Sequence, residues 1–236
     1  MRHLMMFAIL VLLLVSVQFS KAQSVDEIID KHIAALGGKE KLLSLISLKM
    51  EGSMNMQGMD ISVTNTIKQQ VGSRLDISVP GMGEGYQILN TTKGWNFMPF
   101  QGQSSPEEVP EQDVKLDQTK LDVQGVLVNY KEKGTTVTLE GQEKIDNVAC
   151  YKLKVTTKNG KTTTLFIDGT TYYRVKSIST IKTPEGEQES ETTYADFKKN
   201  ADGFTFPYSQ SNSRGTIIFS NIETNKPVEE GIFTVK

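Results

Sequence analysis

Cysteine and histidine are nearly absent from this chain. It carries one cysteine, Cys150, and two histidines, His3 and His32. A single cysteine allows no internal disulfide, so stability has to come from a packed core. The usual zinc and copper donor sets need more histidine or cysteine than this. A Ser-His-Asp or Cys-His catalytic arrangement would have to recruit His32, which falls on the apolar face of a helix. Cys150, between Ala149 and Tyr151 at a strand start, reads as a small buried residue. A charge excess is missing too: 26 lysines and arginines face 28 aspartates and glutamates. Such a balance leaves no electrostatic footprint for nucleic acid. The glycines form no phosphate cradle, since Gly81, Gly83 and Gly85 make a turn with no helix behind it. Glu185, Glu187, Glu189 and Glu191 alternate along a strand and give it a solvated face, without calcium-loop spacing. No cofactor, no metal and no catalytic residue is indicated.

Long hydrophobic runs are also lacking, with one exception. Arg2 and His3 precede an apolar run over residues 4–17. About 14 residues is short for a membrane span and has a signal-peptide layout. Ser20-Lys21-Ala22 supplies small residues at the −3 and −1 positions, which predicts cleavage after Ala22 and a signal peptide over residues 1–22. The next residue is Gln23, not cysteine, so no acylation through a lipobox is expected. Loss of Arg2 and Lys21 takes the basic count from 26 to 24 against 28 acidic residues, a formal charge of −4. Residues 23–236 are long enough for one domain with a sizeable core.

Val25, Ile28, Ile29, His32, Ile33 and Leu36 recur at helical spacing. Ser24 with Glu27 forms a capping box ahead of them, and Gly37-Gly38 ends the helix. A second short helix is predicted over residues 39–45. Strand patterns follow at 46–56, 59–71, 73–79, 85–91 and 94–98, separated by Gly and Pro turns. Residues 101–110 read as a loop. Residues 111–133 look helical, with Val114, Leu121, Leu127 and Tyr130 as apolar positions and Gly125 as a break in the middle. Beyond Gly134 the alternation resumes at 137–139, 151–156, 162–167, 172–182, 188–197, 204–211 and 216–223. Asn159-Gly160 gives a hairpin signal, and residues 232–235 suggest a last short strand. These roughly twelve candidates predict a mainly β fold with covering α-helices, a curved antiparallel sheet of about eleven strands. A sheet that size encloses either a cavity or a plug.

Methionine is concentrated in one region. Outside the signal peptide the six methionines are Met50, Met54, Met56, Met59, Met82 and Met98. Met50, Met54 and Met56 share a strand face. Trp95 and Phe97 share one nearby, with Tyr86 and Phe100 close in sequence. Methionine adapts its shape to varied apolar partners. Met50, Met54, Met56, Tyr86, Trp95 and Phe97 are therefore candidate wall residues of a pocket for a greasy ligand. Ordinary core packing against the helices is the competing account.

Four stretches carry a family resemblance. Residues 26–52, DEIIDKHIAALGGKEKLLSLISLKMEG, resemble the opening of LolA-like proteins of the Bacteroidota type, the outer-membrane lipoprotein-sorting proteins and their relatives. Residues 123–168, VQGVLVNYKEKGTTVTLEGQEKIDNVACYKLKVTTKNGKTTTLFID, are similar to the same group. So are YADFKKNADGFTFP at 194–207 and FSNIETNKPVEEGIF at 219–233. The resemblance implies a curved half-barrel covered by helices, with an apolar interior that accepts lipid or lipoprotein acyl chains. It further implies a non-enzymatic periplasmic carrier in outer-membrane lipoprotein sorting, with membrane lipoprotein-transport proteins as partners. No polar entrance residue of the carriers is matched in this chain. The alternative is an envelope protein-interaction or sensor module with a filled core. A cavity lined by Trp95 and the methionines would favour the carrier, and a solid core with an exposed apolar patch the module.

Overall fold

The computed structural model describes residues 23–56, 58–183 and 186–235. The predicted signal peptide, residues 1–22, lies outside the described residues. The chain opens with helix α1 (Val25–Ala35). Ser24 accepts from the Glu27 amide and Glu27 reaches back to the Ser24 amide, so the capping box forms as the sequence predicts. Gly37 and Gly38 both take positive φ and turn the chain into helix α2 (Lys39–Leu43).

Among the described residues thirteen strands follow, two more than expected, all in one antiparallel sheet. The first six are β1 (Ser47–Met56), β2 (Met59–Lys68), β3 (Gly72–Val79), β4 (Gly83–Asn90), β5 (Gly94–Phe97) and β6 (Glu107–Glu108). The other seven are β7 (Thr136–Ile145), β8 (Val148–Thr156), β9 (Thr162–Asp168), β10 (Arg174–Thr183), β11 (Gly186–Lys199), β12 (Thr205–Asn212) and β13 (Gly215–Thr224). Their order is β6-β5-β4-β3-β2-β1-β13-β12-β11-β10-β9-β8-β7, so each half is a meander. The seam is the pairing of β1 with β13. The sheet does not close, and it curves as a half-barrel.

At the seam Glu51 pairs with Asn221 but Gly52 pairs with Phe219, which leaves Ser220 as a bulge. A Cβ on Gly52 would stand 2.4 Å from the Ile218 carbonyl oxygen, so only glycine permits this approach.

Strand alternation gives the sheet two unlike faces. The concave face takes the helices. Ile28, Ile29 and Ile33 of α1 and Leu42 of α2 pack with Leu127, Val137, Leu153, Leu165 and Phe204 in the largest core cluster. A second cluster lies across the seam: Leu48, Phe219 and Ile222, with Met50 packed against it. On the convex face the C-terminal segment lies as a strap. It contains a 3-10 turn, Glu230–Phe233, where a strand over 232–235 was expected. The reason is local. Phe233 is buried against the flat surface of Gly72, and the Ile232 and Phe233 carbonyls accept from the Arg74 and Asn90 side chains, not from a neighbouring strand.

The predicted 111–133 helix is corrected. Only α3 (Glu111–Asp117) is α-helical, and a 3-10 turn, Gln118–Leu121, follows. The backbone then leaves the helix because competing partners hold it. The Val123 amide donates to Gln69 Oε1 at 2.7 Å, Gly125 and Asn129 take positive φ, and Lys133 bridges Asp122 and the Gly125 carbonyl. Leu121, Leu127 and Val128 are still buried, each by its own route.

The strap yields a test. Phe233→Ala is expected to cost about 3–5 kcal/mol in urea unfolding. Gly72→Ala puts a Cβ 2.3 Å from the Phe233 ring and costs roughly 1–3 kcal/mol alone. Made in the Phe233→Ala background, Gly72→Ala costs much less, because the clashing ring is gone. Additive effects would refute this account of the strap.

Candidate functional site

The methionines and aromatics proposed as one wall stand on two faces. Pairing fixes this. Met50, Gly52, Met54 and Met56 of β1 oppose Asn65, Val63, Ile61 and Met59 of β2. Val63 and Asn65 oppose Ile77 and Leu75 of β3. All of these point to the concave side, where Leu48 lies with the seam cluster. Tyr86 opposes Asp76 of β3 and Phe97 of β5, and Ile88 opposes Trp95. Those positions are one residue out of phase and point to the convex side. Met50, Met54 and Met56 are thus brought together, as are Tyr86, Trp95 and Phe97, but the two groups cannot line one cavity.

The convex aromatics form a small layer of their own. The Tyr86 and Phe97 rings lie 5.5 Å apart, tilted at 50°. The Arg74 guanidinium covers Tyr86 at 4.8 Å, and Lys93 stands 6.0 Å over the Trp95 ring. Arg74 is tied by two hydrogen bonds to Asp76. Lys93 pairs with Glu108. Both cations of this layer are thus paired with carboxylates.

On the concave side the coverage is uneven. Around Met50 the helical end is filled. Around Met54 the cluster consists of Ile61, Val63 and Val79 with Leu75, Ile77, Phe100 and Ile217, and it contains no residue of α1, α2 or α3. Phe100 reaches it because Gly85 has no side chain there; a Cβ would stand 2.9 Å from the Phe100 ring and 2.8 Å from the Met98 sulfur. Met54 itself leans over Gly215. Met56, Met59 and Met82 end the hairpins at this rim and are exposed at 37%, 38% and 54%.

One row of concave residues crosses the middle strands. Tyr194 pairs with Gln210, Gln210 with Ile217, Ile217 with Met54, and Met54 with Ile61. The first four are half-buried and Ile61 is buried. The row runs from a hydroxyl-rich flank to an apolar one. On the hydroxyl flank Ser177 bonds Tyr194 at 3.0 Å and Thr163 bonds Ser179 at 3.1 Å. The sequence signal that could have located this row is the spacing of the hairpins, which sets the phase of each strand against the next.

Titratable chemistry on this face is sparse. His32 is buried under α1 and its Nδ1 donates to the Tyr172 carbonyl at 2.7 Å. Burial, with a smaller push from the Arg174 charge, holds its imidazole down to about 4, against a weaker opposing effect of the carbonyl bond. It is a neutral core residue at neutral pH. Burial pushes the Cys150 thiol up. No group of three or more His, Cys, Asp or Glu suited to a metal ion occurs among the described residues. No helix among them is long and apolar enough to cross a membrane. Two grooves of about 340 and 390 Å³ lie on the convex side, one beside Thr193 and Ser211, the other under the strap beside Lys49 and Thr66.

An open antiparallel half-barrel whose concave face is roofed by helices at one end defines a LolA-like architecture. Solved structures share it. A LolA superfamily protein from Nitrosomonas europaea aligns over 91% of this chain and 99% of its own, with TM-score 0.55 and 15% identity. A DUF1329 family protein from Desulfovibrio piger aligns over 90% and 98%, with TM-score 0.55 and 14% identity. An assigned outer membrane lipoprotein-sorting domain from Vibrio parahaemolyticus aligns over 88% and 94%, with TM-score 0.50 and 14% identity. At such identity the likeness establishes the fold. No protein-family model and no curated protein sequence matches the chain. The half-barrel fold that the sequence resemblance implies is thus the observed one.

His32 makes acid stability testable. Its folded pKa lies below the unfolded value, so the unfolded state binds the extra proton between about pH 6.5 and 4. Stability is therefore complete above about 6.5 and falls as pH drops through that window, by an amount on the order of 3 kcal/mol. His32→Asn, whose amide can still donate to the Tyr172 carbonyl, is expected to flatten that slope in urea titrations at stepped pH. An unchanged slope would refute the assignment.

Proposed function

We propose that this protein is a non-enzymatic binding protein that shelters an apolar chain along the concave face of its half-barrel. The ligand class is a lipid or the acyl chains of a lipoprotein. The observation that carries this reading is the half-buried row Tyr194–Gln210–Ile217–Met54, which lies on the concave side beyond the roofing helices. Leu75, Ile77 and Phe100 widen its apolar end. An exposed methylene is penalised by about 0.8 kcal/mol in water, so a chain laid along this surface gains affinity with each group covered. Methionine suits the task because its flexible thioether adapts to chains without fixed shape. The lipoprotein-sorting designation of the Vibrio parahaemolyticus domain points the same way. With the predicted signal peptide, the reading places the mature protein in the periplasm as a diffusing carrier, with lipoprotein-transport proteins of the two membranes as its exchange partners. Met50, Met54 and Met56 then act as wall residues, while Tyr86, Trp95 and Phe97 belong to the convex surface.

A second reading rests on a different observation. The helical end of the concave face is filled, and Met56, Met59 and Met82 are exposed at the hairpin rim. An apolar rim over a filled core fits an envelope interaction module.

The test is binding of a fluorescent fatty acid and of a lipopeptide to delipidated protein. Micromolar binding is expected. Met54→Asp and Ile217→Asp should each weaken it at least about tenfold, since a charge on the wall must be desolvated. Trp95→Ala should leave it unchanged. Absence of micromolar binding by either ligand sinks the carrier reading and favours the module. Sensitivity to Trp95→Ala with none to Met54→Asp would move the site to the convex face.

A further inference from the structure

We propose that Arg174 is a head-group anchor on the concave face, and that the preferred ligand is an amphiphile with an anionic oxygen head, a carboxylate or a phosphate. This deepens the carrier reading and rests on it.

Arg174 has no hydrogen-bonding partner for its guanidinium among the described residues. Arg174 opens β10 and pairs with Ile167, a buried core residue of the concave side. Its guanidinium lies 4.1 Å from the centre of the Tyr194 ring. It also acts electrostatically on His32 beneath α1, which fixes it on the roofed side of the sheet. The side chain is half-buried. Among the described residues it makes no ion pair and no hydrogen bond, so the stack on Tyr194 is its one close polar contact.

A guanidinium has five N–H donors. The contrast with Arg74 is direct. Arg74, half-buried on the convex face, also stacks on a tyrosine, but it donates to Asp76 and to the Ile232 carbonyl. The carboxylates on the two neighbouring strands are otherwise engaged: Asp196 of β11 is taken by Lys198 at 2.7 Å, and Asp168 of β9, next to Ile167, accepts from the Thr170 and Thr171 amides. Lys176, two residues on and facing the other side, pairs with Glu191. Lys176 and Lys198 thus each spend their charge on a carboxylate, whereas Arg174, among the described residues, does not.

Its surroundings match an oxygen anion. Stacking holds the guanidinium plane, and a planar fork is suited to bidentate contact with carboxylate or phosphate. The Tyr194 and Ser177 hydroxyls bond each other at 3.0 Å, which leaves one hydroxyl hydrogen of the pair free as a further donor. His32 is neutral and brings no second charge. The row that begins at Tyr194 then runs across four strand spacings to Ile61, about 19 Å along the sheet. That is on the scale of one leaflet of a bilayer's hydrocarbon core, about 15 Å. A head group at Arg174 therefore lays its tail toward Ile217 and Met54.

The test compares laurate, dodecyl phosphate and dodecanol as competitors of a fluorescent fatty acid on the delipidated chain beginning at Gln23. The wild type is expected to bind at least one of the two anions about tenfold or more tightly than the alcohol, and the tighter anion identifies the head group. Arg174→Gln should abolish that preference, weakening the anion far more than dodecanol, and Arg174→Lys should keep part of it. Equal affinity for all three in the wild type overturns the anchor and leaves the carrier reading standing. A preference that survives Arg174→Gln overturns the anchor too. Binding of none of the three overturns both. The wild-type comparison decides the matter even where a variant fails to fold.

Discussion

Everything in this molecule depends on the pairing of its first strand with its last. Without the β1–β13 ladder the chain would be two separate meanders, each with a long unpaired edge. The ladder joins Met50 to Ile222 and Met54 to Ile217, residues far apart in sequence. Closing so long a loop is entropically costly, and the hydrophobic cluster of Leu48, Phe219 and Ile222 on the seam offsets that cost. The bulge at Ser220 sharpens local twist at the same point. The strap follows directly from β13, so the seam also decides where Phe233 lands and seals Gly72 on the convex face. The concave row exists only because the seam sets Ile217 beside Met54.

Much of this was legible in the sequence, and the legible parts share a property: they are local. The capping box at Ser24, the Gly37-Gly38 stop and the apolar face holding His32 each depend on residues within a few positions. Strand existence was legible for the same reason, because alternation is read within one strand. The helix over 111–133 was misjudged because its apolar positions are truly buried but by tertiary routes. Gln69, more than fifty residues earlier, takes the Val123 amide, and no local pattern announces that.

Face assignment is the second thing that locality cannot supply. Met54 and Trp95 each sit on a well-defined face of their own strand. Whether those faces coincide depends on the register of four intervening ladders. A shift of one residue in any of them exchanges the sides. The composition signal was real in both groups, but it merged two surfaces with different jobs. Tyr86, Phe97 and Arg74 satisfy one another on the convex side, whereas Met54 faces a surface that the helices leave open.

That open surface explains an otherwise odd division of polarity. A concave face meant only for packing would be apolar throughout, as it is under α1. Here the middle strands of the C-terminal meander, β9 to β11, carry Thr163, Ser177, Ser179 and Tyr194 in place of aliphatic residues, and their hydroxyls bond one another. Burying such groups gains little for stability, since each hydrogen bond only replaces one with water. Keeping an arginine there without a carboxylate is worse for stability unless water or a ligand reaches it. Arg174 tolerates the position because it remains half-exposed and stacked on Tyr194, and because its neighbour His32 stays uncharged. A surface that is polar at one end, apolar at the other and open between them has the polarity profile of an amphiphile. Folding alone would not select that gradient; a ligand lying along it would.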